Sequence, residues 1–191
     1  MERLQTKTYG PDLNRAQKLC IAGLLVAMAI VLDSVGQIVF TPTNKLTLTF
    51  LPISLCGMLL GPVYGGVAGG LADIIGYMIG GQALGAYIPL LTIPVILQGI
   101  LAGFMLRPLM GSCTKPQFIT RIVLYRVAVN VVCNILLNTW FLAIVSGTGY
   151  LGMLITRLPK YMIIPFVEMF LLALVAPLVK KALLAVNRSF A

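Results

Sequence analysis

The chain contains no histidine, and only five of its 191 residues are acidic. Glu2 and Asp12 lie near the N-terminus, which leaves Asp33, Asp73 and Glu168 for the apolar remainder. Without an imidazole to serve as base or metal ligand, an intramembrane hydrolase or metalloenzyme is hard to build, so neither catalytic residues nor a metal site is expected. No G-x-x-x-x-G-K-[ST] segment is present, so the chain has no phosphate-cradling loop of that type and is not expected to hydrolyse ATP itself. The four cysteines, Cys20, Cys56, Cys113 and Cys133, stand singly with no C-x-x-C pair. They indicate neither a metal knuckle nor a disulfide framework, and free buried thiols are expected. No filter-like motif of a channel stands out. Strand-period alternation is lacking, which argues against a lipid-facing β-barrel. The N-terminal segment carries Arg3, Lys7, Arg15 and Lys18 with no A-x-A-like cleavage site before a soluble domain, so no signal peptide is expected to be removed.

What is abundant is apolar surface. Hydrophobic residues make up 59% of the chain and charged residues 10%, and the mean hydropathy is +1.00. These values belong to an integral membrane protein. Apolar stretches begin near Leu19, Phe50, Ala68, Ile88, Ile119 and Tyr161. Each, alone or with its flanks, reaches the roughly 20 helical residues that a bilayer demands. The expectation is an all-α membrane protein of six transmembrane helices in a single domain spanning 1–191, with a core over about 15–180 and tails at 1–14 and 181–191.

The net charge of +9 reads as topology and not as nucleic-acid binding. With six helices and both termini on one side, ten of the fourteen cations collect there, which the positive-inside rule makes cytoplasmic. Lys45, Arg126, Arg157 and Lys160 remain on the external side or within the bundle and need another explanation.

Along the chain, the first helix is expected from about Arg15 to Val39. Ala16, Cys20, Gly23 and Ala27 lie on one stripe of it at spacings of four, three and four. Such a stripe permits close helix approach, either inside the bundle or to a partner subunit. Residues 40–49, FTPTNKLTLT, read as an external loop able to cover a pocket. The second helix, from about Phe50 to Leu60, should break at Gly61-Pro62. The third is the glycine-rich stretch GGVAGGLADIIGYMIGG, with Asp73 and Tyr77 four residues apart on one face. The fourth runs from near Pro89 to Arg107-Pro108 and carries Gln98; GAYIP, with Tyr87, connects into it. The fifth, from about Phe118 to Ala143, holds Arg126, Asn130, Asn134 and Asn138 at intervals of four, a polar ridge that no lipid-facing surface tolerates. The sixth is expected from about Ile155 to Leu178 with Arg157, Lys160, Pro165 and Glu168.

Ionisable groups in a bilayer are costly and are functional candidates by default. Arg126 has two readings, an ion pair with Asp73 or Glu168 and a ligand contact. Arg157 and Lys160 either snorkel to headgroup lipid or, with Lys45, receive an anionic ligand, for which the arginine fork suits a carboxylate. Asp73, Asn130, Asn138 and Gln98 supply hydrogen bonds, and Trp140, Tyr77, Tyr87 and Tyr161 supply flat faces; each aromatic alone also reads as a headgroup anchor. The inventory fits a planar heteroaromatic ligand with a carboxylate tail.

The segments FLPISLCGMLLGPVYGGVAGGLADIIGYMIGG (50–81) and GAYIPLLTIPVILQGILAGF (85–104), with the small-residue stripe of the first helix, resemble the substrate-binding S components of energy-coupling factor (ECF) vitamin transporters. The stretch LNTWFLAIVSGTGYLGMLITRLPKYMIIPF (137–166), above all Asn138-Thr139-Trp140 and the Arg157, Lys160, Pro165 spacing, resembles the folate-specific members. The resemblance implies a high-affinity folate-binding subunit of a bacterial cell-membrane importer. It implies a transmembrane T component and two cytoplasmic ATPases as partners, with the stripe at Ala16, Cys20, Gly23 and Ala27 as the T-component face. Another vitamin (riboflavin, thiamin or pantothenate) is the alternative within the class, and a stand-alone small transporter or channel the alternative outside it.

Overall fold

The computed structural model describes residues 14–35, 38–41, 44–46, 48–80, 89–111, 115–147 and 149–189. Helix α1, Arg15–Val35, begins where the Asn14 backbone N–H donates to the Gln17 side chain at 2.9 Å, which satisfies one amide at the helix start. It ends four residues earlier than its composition suggested. Part of the expected loop is instead a hairpin, β1 (Ile38–Thr41) paired antiparallel with β2 (Asn44–Leu46) in the register Ile38↔Leu46 and Val39↔Lys45. The physical reason is the run Ile38-Val39-Phe40-Thr41, whose β-branched and aromatic side chains favour extended backbone over helix.

Helix α2, Phe50–Leu60, stops as expected at Gly61, where φ is 106°, a conformation open to glycine, and Pro62 opens α3, Pro62–Gly80. Helix α4, Thr92–Leu106, is flanked by 3-10 turns at Pro89–Leu91 and Arg107–Met110. Helix α5, Lys115–Ala128, continues without a break into a π-helical stretch, Val129–Asn138, and then into α6, Thr139–Ser146. Helix α7, Tyr150–Ser189, is longer at both ends than expected and includes most of the predicted C-terminal tail. At 1.5 Å per residue it extends roughly 60 Å, well beyond a hydrocarbon core of about 30 Å.

Among the described residues, three helical stretches are long and apolar enough by composition to cross a membrane: Arg15–Ser34, Pro89–Met110 and Pro116–Ser146. The tightest packing joins α2, α3 and α4. A Cβ added to Gly99 would collide with the Gly65 backbone oxygen, and one added to Gly57 would lie 2.7 Å from the Gly99 oxygen and 2.8 Å from the Gly103 nitrogen. Glycine lets these three backbones touch, and in lipid such van der Waals contact is a main source of helix association. The core continues through Leu55, Met58, Leu106, Ile122, Tyr125, Val129 and Leu172, which tie α5 and α7 to this unit. The Tyr125 hydroxyl, fully buried, meets Ser54 Oγ at 2.7 Å and donates to the Gln98 carbonyl at 3.5 Å, joining α5 to α2 and α4. Cys56 and Cys133 are buried free thiols as expected, whereas Cys20 is exposed on α1; Cys113 lies outside the described residues.

Candidate functional site

Between α1 to α4 on one side and α5, the π stretch and α7 on the other lies a cavity of about 210 Å³. Helix α1 contributes Asp33; Thr49 and the start of α2 contribute a hydroxyl, the Phe50 ring and Ile53. Ala72 and Asp73 come from α3, and Val95 and Gln98 from α4. The opposite wall consists of Arg126, Asn130, Asn134 and Asn138, with Tyr161, Ile164, Pro165 and Glu168 from α7.

The polar ridge therefore faces inward over its whole length, and the π stretch explains how. An α-helix overshoots a full turn by about 40° every four residues, so side chains at intervals of four drift around it. The wider i to i+5 turn of a π-helix falls short of a full turn over the same step and reverses the drift. The change of winding after Ala128 holds all four side chains toward one cavity.

The wall is cross-linked by polar groups on α7. Pro165 has no N–H, so the Tyr161 carbonyl four residues before it lacks its helical donor; Asn130 Nδ2 supplies one at 3.1 Å. Asn134 Nδ2 donates to Asn130 Oδ1 at 3.5 Å. The Asn134 carbonyl accepts from the Tyr161 hydroxyl at 3.1 Å and from Thr139 Oγ1 at 3.0 Å. Arg126 Nη2 is paired with Glu168 Oε2, and its guanidinium carbon lies 4.8 Å from the Phe50 ring centroid, within cation–π range. Across the cavity, Thr92 Oγ1 donates to Asp73 Oδ2 at 2.7 Å, and Thr49 Oγ1 to Asp33 Oδ1 at 3.3 Å. The result is a chamber lined by amides and carboxylates with Phe50 and Tyr161 as flat surfaces, suited to hold a polar planar molecule.

Of the residues singled out in the sequence, Asp73, Gln98, Arg126, Asn130, Asn138 and Tyr161 come together on this cavity. Arg126 has the ion-pair partner that the sequence offered, Glu168, and lines the cavity as well. Arg157 is buried but does not line it: its Nη1 donates to the Tyr161 hydroxyl at 3.5 Å, so the Tyr161 ring connects it to the chamber. Tyr77 is half-buried on α3 away from the lining. Trp140 is 56% exposed and stacks on Phe141 with centroids 6.3 Å apart, also away from the lining. Tyr87 and the side chains of Lys45 and Lys160 lie outside the described residues. The lining residues not singled out as ligand contacts include Asp33, Thr49, Phe50, Asn134 and Glu168. Asp33 and Glu168 carried a usable signal, since each is a lone acid within an apolar run.

The family described as the ECF transporter substrate-specific component matches residues 17–187. The chain belongs to this family. It is accordingly a transporter's substrate-specific subunit and not an enzyme, and its place is in a membrane. It is similar to the folate transporter FolT of Clostridium novyi (strain NT), with 28% identity over 120 residues. That stretch spans 63% of this chain and 65% of the relative, just under two thirds of its length. A crystal structure of FolT bound with folic acid aligns with a TM-score of 0.68 at 26% identity, over 81% of this chain and 89% of that one. A structure of the S component of a bacterial ECF transporter aligns with a TM-score of 0.69 over 89% of this chain and 99% of that one; at 19% identity it shows the fold alone. The expected S-component-like helical bundle is therefore the fold of this substrate-specific component.

Proposed function

We propose that this substrate-specific component binds folate with high affinity and delivers it through an ECF-type importer driven by ATP hydrolysis in partner subunits. One observation carries the reading: Arg126, Asn130, Asn134 and Asn138 face Asp73 and Gln98 across a single cavity. It does so in a backbone similar to that of FolT with folic acid bound. A pterin-like ring presents donors and acceptors around a flat edge, and the amides and carboxylates of the chamber complement both. A cavity of about 210 Å³ is below the 300–1,000 Å³ typical of sites that enclose a whole drug-sized ligand, which suits a ring held inside with a tail extending out. On this reading Arg157, Lys160 and Lys45 are the cations that receive the tail carboxylates, and Tyr77 and Tyr87 offer it flat apolar faces. Trp140, exposed on the bundle, serves better as a headgroup-level anchor.

The partners are a T component in the membrane and two cytoplasmic ATPases. Support comes from α1, where Ala16, Cys20, Gly23 and Ala27 are all exposed and a Cβ on Gly23 would meet nothing within 4 Å. The stripe is thus turned away from its own bundle and open to another helix. The arrangement in a bacterial cell membrane is six crossings with both termini cytoplasmic, in accord with the charge distribution.

The test is extraction of ligand from the purified protein, identified by absorbance and mass. A folate is expected, and Arg157→Ala is expected to retain less of it. Recovery of a flavin, thiamin or pantothenate instead would overturn the assignment.

A further inference from the structure

The π stretch keeps its i to i+5 winding over ten residues, Val129–Asn138, where such winding is ordinarily confined to a single turn. No proline or glycine lies between Arg126 and Ser146, so the backbone of this segment does not impose it. The cause lies in what packs against it. The Thr139 N–H reaches back five residues to the Asn134 carbonyl, an oxygen that the Asn138 N–H would take in an α-helix. The same carbonyl accepts from Thr139 Oγ1 at 3.0 Å and from the Tyr161 hydroxyl of α7 at 3.1 Å. A threonine hydroxyl in an α-helix bonds the carbonyl three or four residues back, so a reach of five belongs to the wider turn. The two hydroxyls lie 2.8 Å apart, with Thr139 fully buried and Tyr161 4% exposed. Arg157 Nη1 donates to the Tyr161 oxygen at 3.5 Å, and because arginine offers no acceptor, the tyrosine's own hydrogen is left for Asn134. The next carbonyl, that of Ile135, accepts from the Tyr150 hydroxyl at 3.3 Å. A return to α winding would hand both carbonyls to backbone N–H groups and leave the buried Tyr161 and Thr139 hydroxyls short of an acceptor, which costs free energy.

We propose that Tyr161 and Thr139 are positioning residues whose paired hydroxyls select the π winding and thereby set where Asn138 stands in the cavity, neither hydroxyl donating to the ligand. Thr139 is not among the described lining residues, and the Tyr161 hydroxyl is committed to Asn134, so what the pair does to a ligand has to pass through the ridge. The effect is graded along it. Arg126 stands before the π stretch begins; its Nε and Nη1 have no hydrogen-bond partner among the described residues and stay available whatever the winding. Asn138 is the last residue of the stretch, so a changed winding displaces it most. The inference rests on the folate reading only for the identity of the ligand; the choice of winding stands on the hydrogen bonds alone.

The experiment is a double-mutant cycle on folic acid binding to the folded protein in detergent. Tyr161→Phe keeps the ring and removes the hydroxyl; it should weaken binding by about 3- to 10-fold, the range for one neutral hydrogen bond. In an Asn138→Ala background the same change should alter affinity by less than about 2-fold, because the side chain it positions is gone. An equal loss in both backgrounds would assign the hydroxyl to the ligand, and unchanged binding with Asn138 in place would leave it no positioning role; either result overturns the proposal. A second measurement needs no ligand. Amide exchange should speed up over 134–139 in Tyr161→Phe and in Thr139→Val while 50–106 keeps its protection, and Thr139→Ser, which retains the hydroxyl, should keep the slow exchange of the unaltered protein. Acceleration spread over the whole chain in both variants, or none over 134–139, overturns the proposal as well. If the unaltered protein binds no folic acid, the folate reading fails and the exchange experiment still decides the winding; if it binds folic acid and the cycle shows no coupling, only this inference fails.

Discussion

On one side of the cavity α2, α3 and α4 meet backbone to backbone, with Gly57, Gly65, Gly99 and Gly103 leaving no room for a side chain between them. On the other, α5, the π stretch and α7 meet through side chains: Asn130 on the Tyr161 carbonyl, Tyr161 on the Asn134 carbonyl, Arg126 on Glu168. The first contact offers a ligand nothing, because dispersion between backbones has no donor to lend, but it fixes the position of Asp73 and Gln98. The second is made of groups able to change partners, and it carries donors left over. A substrate-specific subunit needs both: a wall that does not yield and a wall that can respond.

The largest effect should come from breaking the polar side. Arg126→Ala or Glu168→Ala leaves one buried charge without its partner and should cost about 3–5 kcal/mol in thermal or denaturant unfolding in detergent, whereas R126M/E168M should recover most of the loss. If the double variant is no better than the single ones, the two residues do not act as a pair.

Gly99→Ala attacks the other side. The added methyl group must push α3 from α4, at a cost of about 1–3 kcal/mol, while the folded fraction keeps its folate affinity to within a few-fold. A large loss of affinity in protein that remains folded would mean that the glycine contact also shapes the polar wall.

A finer test concerns Pro165. Asn130→Ala should cost about 1 kcal/mol, because it removes the donor for the Tyr161 carbonyl. In a Pro165→Ala background the backbone N–H returns to that carbonyl, and the same Asn130 change should cost less. A double-mutant cycle showing no coupling would refute the link.

The smallest effect on stability is expected outside both walls. Gly23→Leu on the open face of α1 should change stability by no more than about 0.5 kcal/mol and leave folate binding intact, yet abolish uptake into cells that carry the ATPase module.

Much of this division was legible in the residues. The four-residue spacing of Arg126, Asn130, Asn134 and Asn138 announced an inward ridge, and Gly61-Pro62 announced the break between α2 and α3, because both depend on local periodicity and backbone chemistry. The π winding that keeps the ridge on one face was not legible, since i to i+5 bonding is selected by packing and not by spacing. Nor was the position of Arg157 behind Tyr161: helical spacing places the two residues on one face but does not say which side chain stands nearer the chamber. Pro159, Pro165 and Pro177 lie inside the helix expected from about Ile155 to Leu178, as membrane helices tolerate when neighbours satisfy the freed carbonyls, as Asn130 does here; the added turns at both ends of α7 were not legible. The hairpin after α1 was missed because its apolar run reads equally well as a helix end.

The most direct measurement of the central claim is amide hydrogen exchange on the purified protein with and without folic acid. The account predicts new protection over 126–138 and 161–168 and little change over 57–65 and 99–103, where the glycine contacts already shield the backbone. Protection elsewhere with the polar wall unaltered, or no change at saturating folic acid, would contradict it.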